Sequence, residues 1–263
     1  MKSMILKDEI FPLVDLNRSI IIENTNIITY LEIIQTLELK GIRTFIVGGA
    51  PRDWLMLEHS SDLDIVCRTS LNDLLLILLN EFPDGEVCGK ISWEAGIFMW
   101  GSKDNRLDFS ILHKLVKCNL KKNIYNQFYI NTRNIEDDAL LRDFTINTVY
   151  YSHNAKTYFD PLGVAFRDIE NRYLQFACNQ SIWEISPFIG MRAIKFIMKG
   201  FLPSLPIQTF LKTELPNHLV KCGRPKLLLW IDRQIVKKGL SAEEFFYVAI
   251  EYIPKHLLWL IKY

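Results

Sequence analysis

The segment FIVGGAPRDWLMLEHSSDLDIVC, residues 45–67, constrains the fold more than any other part of the chain. Its β-branched and aromatic opening, closed by Gly48 and Gly49, reads as a buried strand ending in a tight turn. Pro51 stands where a helical turn would begin, a position at which its missing N–H costs little. DLDIVC reads as a second strand. Side chains alternate faces along a strand, so Asp62 and Asp64 project to one side while Leu63 and Ile65 enter the core.

Around this unit, NIITYLEIIQTLELK (residues 26–40) has apolar residues at helical spacing and ends at Gly41, a C-cap. LNDLLLILLNEF reads as a buried helix. Residues 86–112 read as strand pairs around GIFMW and RLDFSIL. Helix and strand intermingle to near residue 160, and beyond residue 181 only helical patterns remain, broken at Pro203, Pro206, Pro216, Gly223 and Gly239. The expected class is α+β: a mixed sheet flanked by helices, then a smaller all-helical region. The composition shift predicts a head domain over 1–178 and a helical neck or tail over 179–263. Trp230, Phe246 and Trp259 read as core aromatics of that tail, with a partner-docking surface as the alternative.

The 31 basic and 30 acidic residues nearly cancel, so net charge announces no polyanion partner. Lys114, Lys117, Lys121 and Lys122 form one local basic cluster, either a solvated helix face or a phosphate contact. Cys67, Cys88, Cys118, Cys178 and Cys222 stand far apart without a C-x-x-C pair, which argues against a disulfide framework and a zinc site. The N-terminus meets Lys7, Asp8 and Glu9 before any apolar core of signal-peptide length, and no stretch approaches the ~20 apolar residues of a membrane span. The expectation is a cytoplasmic protein with no membrane partner; an effector exported without a cleaved signal would look the same.

Two carboxylates as close as Asp62 and Asp64 repel unless a cation lies between them. Oxygen ligands favour Mg²⁺, which binds through a few carboxylates plus substrate phosphates. Gly48 and Gly49, lacking Cβ atoms, let backbone N–H groups approach a triphosphate. Arg52, followed by Asp53, adds a charge-assisted contact to the same phosphates. A third carboxylate would complete a second metal site and accept the proton of an attacking hydroxyl. Asp108, in the alternating RLDFSIL, is the better candidate, and Asp104, in a turn, the poorer one. The alternative for Asp108 is an exposed strand residue.

The order of these pieces resembles the class II tRNA nucleotidyltransferases (CCA-adding enzymes) and bacterial poly(A) polymerases. Their head motif runs approximately L-V-G-G-x-V-R-D-x-L-L-G and then D-I-D, against which I46-V-G-G-A-P-R-D-W-L-M-L and D62-L-D align. IEDDALLRDFTINTVYYS (135–152) is similar to the family's E-D-x-x-R-R-D-F-T-I-N-A segment. FDPLGVAFRDIENRYLQ (159–175) resembles its D-P-x-G-G-x-x-D-L-x-x-R stretch. The resemblance implies a polymerase-beta-like nucleotidyltransferase head with Mg²⁺ at Asp62, Asp64 and Asp108. It also implies nucleotide contacts from Gly48, Gly49, Arg52, Asp53, Arg142 and Asp143. The last two would approach ribose and phosphates, unless they form a structural salt bridge or helix cap. Asp160, Gly163 and Asp168 read mainly as turn-formers.

The base-reading motif, approximately E-D-P-x-R-M-L-R-A-x-R-F, departs. Here the chain reads I185-S-P-F-I-G-M-R-A-I-K-F, so Ile185 and Ser186 replace the carboxylates and Ile189 the arginine. Glu184 sits one residue early, and Leu141 replaces the first arginine of R-R-D. Apolar side chains cannot discriminate bases by hydrogen bonding. The sequence therefore leads to an NTP-using enzyme acting on an acceptor hydroxyl, most simply the 3′ end of an RNA such as tRNA, or to a toxin or effector that modifies tRNA or a protein. The alternative is a non-catalytic head fold that binds RNA or a partner protein, the helical tail offering a docking face.

Overall fold

The computed structural model describes residues 2–4, 10–22, 26–60, 62–93, 96–101, 106–116, 128–177 and 188–263. Lys117, Lys121, Lys122, Cys118, Cys178, Asp104, Glu184, Ile185 and Ser186 lie outside the described residues. The chain forms two compact units: Met1–Arg142 with Asn147–Phe166, and Asp143–Ile146 with Arg167–Tyr263.

The first unit opens with β1 (Lys2–Met4), α1 (Ile10–Leu16), β2 (Ser19–Ile22), β3 (Asn26–Thr29) and α2 (Tyr30–Leu39). β4 (Arg43–Val47), α3 (Gly49–Leu55), β5 (Asp64–Arg68) and α4 (Leu71–Glu81) follow, then β6 (Glu86–Ser92), β7 (Ile97–Gly101) and β8 (Arg106–Ile111). β9 (His113–Val116), β10 (Phe128–Asn131), α5 (Ile135–Ala139), β11 (Tyr150–Ser152) and β12 (Thr157–Asp160) complete it. Eight strands make one mixed sheet in the order β1-β12-β11-β4-β5-β8-β7-β6. β5 and β8 are parallel, while β4 is antiparallel to β5.

The helix expected over 26–40 starts later than its periodicity indicated. Asn26–Thr29 instead pairs antiparallel with Ser19–Ile22, because the β-branched run NIIT finds a partner in SIII. Thr29 closes the strand and caps α2: its Oγ1 accepts from Glu32 N at 3.1 Å, and Glu32 Oε2 accepts from Thr29 N at 2.6 Å. Ile33, Ile34 and Leu37 of α2 are buried, each contributing about 1.5–3 kcal/mol. α4 is capped by Ser70 and buries Leu71, Leu74 and Leu78, one face of a helix. Phe45, Val47, Val66, Leu112, Ala139 and Tyr150 form a core cluster on the sheet, with Ile135, Phe159 and Leu162 packed against it.

In the second unit, α6 (Ala165–Glu170, from Arg167 on) leads to β13 (Tyr173–Leu174), α7 (Ile189–Met198) and β14 (Leu202–Pro203). α8 (Leu205–Thr213), α9 (Leu215–Cys222), α10 (Arg224–Gln234) and α11 (Ala242–Ala249) follow. Among the described residues of this unit the helices are joined by the short parallel pair β13–β14 and an antiparallel bridge between Phe144 and Phe176, which a purely helical pattern does not anticipate. Its aromatic core also differs from the expected one. Phe245 is buried, Phe246 and Trp230 are partly buried, and Trp259 is 59% exposed. Asp168 is not a turn residue: fully buried, it accepts hydrogen bonds from Thr145, Gln175 and Arg167. Asp160, in the first unit, does shape a turn, accepting from Gly163 N at 2.8 Å. Among the described residues no helix is long and apolar enough to cross a membrane.

Candidate active site

β4 ends at Val47, which pairs with Asp64, and Gly48 turns the chain into α3. Gly48 sits at φ 74°, ψ −122°, and a Cβ there would lie 2.9 Å from Asp64 Oδ2. The turn and the carboxylate are thus in direct apposition, a contact only glycine permits. The second strand starts later than DLDIVC indicated. β5 begins at Asp64, so Asp62 belongs to the loop entering the strand. Ser60 Oγ holds that loop by donating to the Asp62 carbonyl at 2.9 Å.

Asp108 occupies β8 as expected, and the parallel register makes it the Cα partner of Asp64. Residues in register on adjacent strands share a face, so the two carboxylates project side by side. Tyr30, the first residue of α2, marks the same place. Burial raises the pKa of its hydroxyl, Arg18 opposes this, and Asp62, Asp108 and Asp64 each raise it further. One phenol therefore lies within electrostatic reach of all three carboxylates. Among the described residues no three His, Cys, Asp or Glu side chains enclose a metal by themselves. Carboxylate oxygens alone suit Mg²⁺, which binds through one or two carboxylates and completes its shell with waters and substrate phosphate oxygens. The carboxylates do not fit a closed, thiolate-bearing zinc site.

The basic residues are more engaged than the sequence suggested. Arg52 is buried, its Nε and Nη2 donating to Asp53 Oδ1 at 2.9 and 2.6 Å and its Nη1 to Asn147 Oδ1 at 2.5 Å. Its Nη2 lies 3.4 Å from where a Cβ of Gly49 would stand, so the guanidinium closes over the glycine turn. Arg142 donates to Asp138 Oδ2 at 2.8 Å and lies over the Tyr150 ring. Burial lowers the Arg142 pKa, but Asp138, Tyr150 and Asp64 outweigh it and hold the guanidinium charged. Asp143 belongs to the second unit. Its Oδ2 pairs with Arg192 Nη1 at 3.2 Å, and its Oδ1 accepts from Phe144 N. Ile189 is 2% exposed, a core residue of α7.

Sequence reasoning passed over Asp138, although its i, i+4 spacing to Arg142 on IEDDALLR is visible. It is buried between Arg142, the Tyr150 hydroxyl and the His113 backbone N–H. Burial raises its pKa, but Arg142 and the hydrogen bonds from His113, Tyr150 and Arg142 prevail and hold the carboxyl well below the usual carboxylate range. A depressed folded-state pKa contributes stability above the unfolded-state value near ~4, lost as pH falls toward the folded one. Asp138→Asn is expected to destabilise the protein by about 3–5 kcal/mol at pH 7, since it leaves Arg142 unpaired. In urea unfolding between pH 7 and pH 2.5, the wild-type advantage should be constant above pH 5. It should then narrow by up to about 1.4 kcal/mol per unit below pH 4. A gap independent of pH would refute the assigned pairing.

The Gly48–Gly49 turn, Asp64 and Asp108 all lie within one segment, residues 44–175, that a family model matches. That family is the Poly A polymerase head domain, and the chain belongs to it. A CC-adding tRNA nucleotidyltransferase of Shouchella clausii is 25% identical over 215 residues, 81% of this chain and 49% of its own. Poly(A) polymerase I of Haemophilus influenzae is 24% identical over 181 residues, 64% of this chain and 38% of its own. The chain thus spans half or less of the length of these curated relatives. Among solved structures, a CCA-adding enzyme in complex with CTP superposes at TM-score 0.61 with 17% identity, over 84% of this chain and 50% of that one. The Bacillus stearothermophilus CCA-adding enzyme with CTP gives TM-score 0.52 and 21% identity, over 83% and 46%. At these identities the likeness concerns the fold.

Proposed function

We propose that the chain is a Mg²⁺-dependent nucleotidyltransferase that transfers a nucleoside monophosphate from an NTP to the 3′ hydroxyl of an RNA, tRNA being the acceptor class its relatives name. The observation that carries this reading is the register of Asp64 with Asp108 directly beside the Gly48 turn. Asp62, Asp64 and Asp108 would hold the Mg²⁺, which would neutralise charge as the acceptor hydroxyl displaces pyrophosphate from the α-phosphate in line. Gly48 and Gly49 let the backbone approach the triphosphate, and Arg52, steadied by Asp53 and Asn147, supplies positive charge at that turn. Asp108 accepts the proton of the attacking hydroxyl. Arg142, within electrostatic reach of Asp64, supplies positive charge toward the sugar and phosphates. RNA ends and NTPs meet in the cytoplasm, where we place the reaction.

Incubation with Mg²⁺, each labelled NTP and total RNA tests the reading. Label in RNA is the expected result. A protein that binds RNA without incorporating any nucleotide would instead be a non-catalytic head.

Nucleotide choice is expected to depart from the ordered C, C, A pattern. Ile189 lies in the core of α7 and offers no donor to a base edge, and the carboxylates expected at 185 and 186 are absent from the sequence. Sequencing acceptor 3′ ends after reaction checks this, and clean CCA completion of a truncated tRNA would contradict it.

A further inference from the structure

The loop that delivers Asp62 is held by a residue outside the family-matched segment. Asp15, in α1, is 2% exposed, and its carboxylate gathers donors from two separate parts of the first unit. Oδ2 accepts from the Trp54 indole Nε1–H at 2.6 Å and from the Ser60 backbone N–H at 2.8 Å. Oδ1 stands 3.1 Å from His59 Nδ1 and 4.0 Å from Arg18 Nε. Ser60 in turn donates its Oγ–H to the Asp62 carbonyl. Trp54 belongs to α3, the helix that begins at Gly49, and Ser60 lies two residues before Asp62. One buried carboxylate therefore ties the glycine turn's helix to the loop carrying a metal ligand.

Packing alone does not require this arrangement. A buried carboxylate is costly unless its partners are fully met, and an apolar side chain of similar size often stabilises as well or better. What the charge adds is direction, fixing where the Trp54 and Ser60 donors must stand. The loop it fixes is strained as well: Leu57 sits at φ 60°, a left-handed conformation that persists in a residue with a Cβ only where the surroundings impose it.

We infer that Asp15 is a positioning residue for the metal-binding carboxylates, fixing Ser60, whose hydroxyl holds the Asp62 carbonyl, so that Asp62 and Asp64 meet one cation together. This rests on the metal-binding role proposed above for those two residues. Groups that orient metal ligands from behind typically change metal affinity by about 10–100-fold when replaced.

The test uses the full chain, Asp15→Asn, and Mn²⁺ as the probe, with two readouts. Amide hydrogen exchange reports the loop, and calorimetric titration reports Mn²⁺ affinity at a temperature where the variant is folded. Expected are exchange at the Ser60 N–H faster by about tenfold or more and Mn²⁺ affinity lower by at least about tenfold. A loosened loop with Mn²⁺ affinity within about twofold of wild type would make Asp15 a structural tie only and overturn the inference. Unchanged exchange would overturn it too. Wild-type protein that takes up no Mn²⁺ either alone or with a non-hydrolysable NTP present would defeat the carboxylate reading and this inference with it, a result seen before any variant is compared. Should Asp15→Asn not fold, Ser60→Ala carries the test, because it removes only the hydroxyl donated to Asp62 and leaves Asp15 paired. Lower Mn²⁺ affinity supports the inference there, and unchanged affinity overturns it.

Discussion

Asp64→Ala is expected to lower nucleotide incorporation by about 10³-fold or more while leaving the protein folded, the loss of roughly 4 kcal/mol of transition-state stabilisation. Asp64 is the carboxylate with the most neighbours in the proposed chemistry. It is paired with Val47 on one side and Asp108 on the other, and it touches the space over Gly48. On the proposed chemistry its removal leaves Asp62 and Asp108 to hold the cation with fewer oxygens, and a divalent cation so held is held poorly. Stability should not suffer. The side chain is only partly buried, and its removal relieves repulsion with Asp108. The measurement is single-turnover incorporation of each NTP at saturating Mg²⁺, with circular dichroism to confirm the fold. Near wild-type transfer by the variant would remove Asp64 from the catalytic set. Loss of the fold would instead show that the residue holds the sheet together.

What the sequence made legible was local. The apolar run into Gly48–Gly49, Pro51 after it and the Leu periodicity of α4 each act within a few residues, and each element stands where its pattern put it. Asn26–Thr29 departs from its helical pattern because a short β-branched run fits either element until a partner strand decides it. The site was legible as a set of residue types and only partly as geometry. The register joining Asp64 to Asp108, the Arg52 contact with Asn147, and the Asp15 grip on Trp54 and Ser60 all cross long stretches of chain. No periodicity announces such contacts, because they follow from how strands order in the sheet. Asp138 is the intermediate case. Its spacing to Arg142 was on view, but the burial that makes the pair matter depends on Tyr150 arriving from β11.

Gly48→Ala should impair both stability and catalysis, and comparison with Gly49→Ala separates the causes. At φ 74° and ψ −122° a residue with a Cβ is strained by about 1–3 kcal/mol, whatever space surrounds it. At this position the space is also taken, since the new methyl carbon would lie 2.9 Å from Asp64 Oδ2. The carboxylate must swing away, and a displacement of about 1 Å in a reacting group is enough to cost roughly 10²-fold in rate. Gly49 lacks both liabilities: it starts α3, and its added Cβ would meet Arg52 Nη2 at 3.4 Å, the end of a long side chain. Gly49→Ala should therefore melt close to wild type and weaken NTP binding through the obstructed approach to its backbone N–H. Gly48→Ala should melt several degrees lower, as 1–3 kcal/mol implies for a unit of this size, and lose about 10²-fold or more in kcat. Thermal melts and steady-state kinetics on the two variants decide it. A Gly48→Ala protein that melts and turns over like wild type would mean that neither the turn nor Asp64 is held as described.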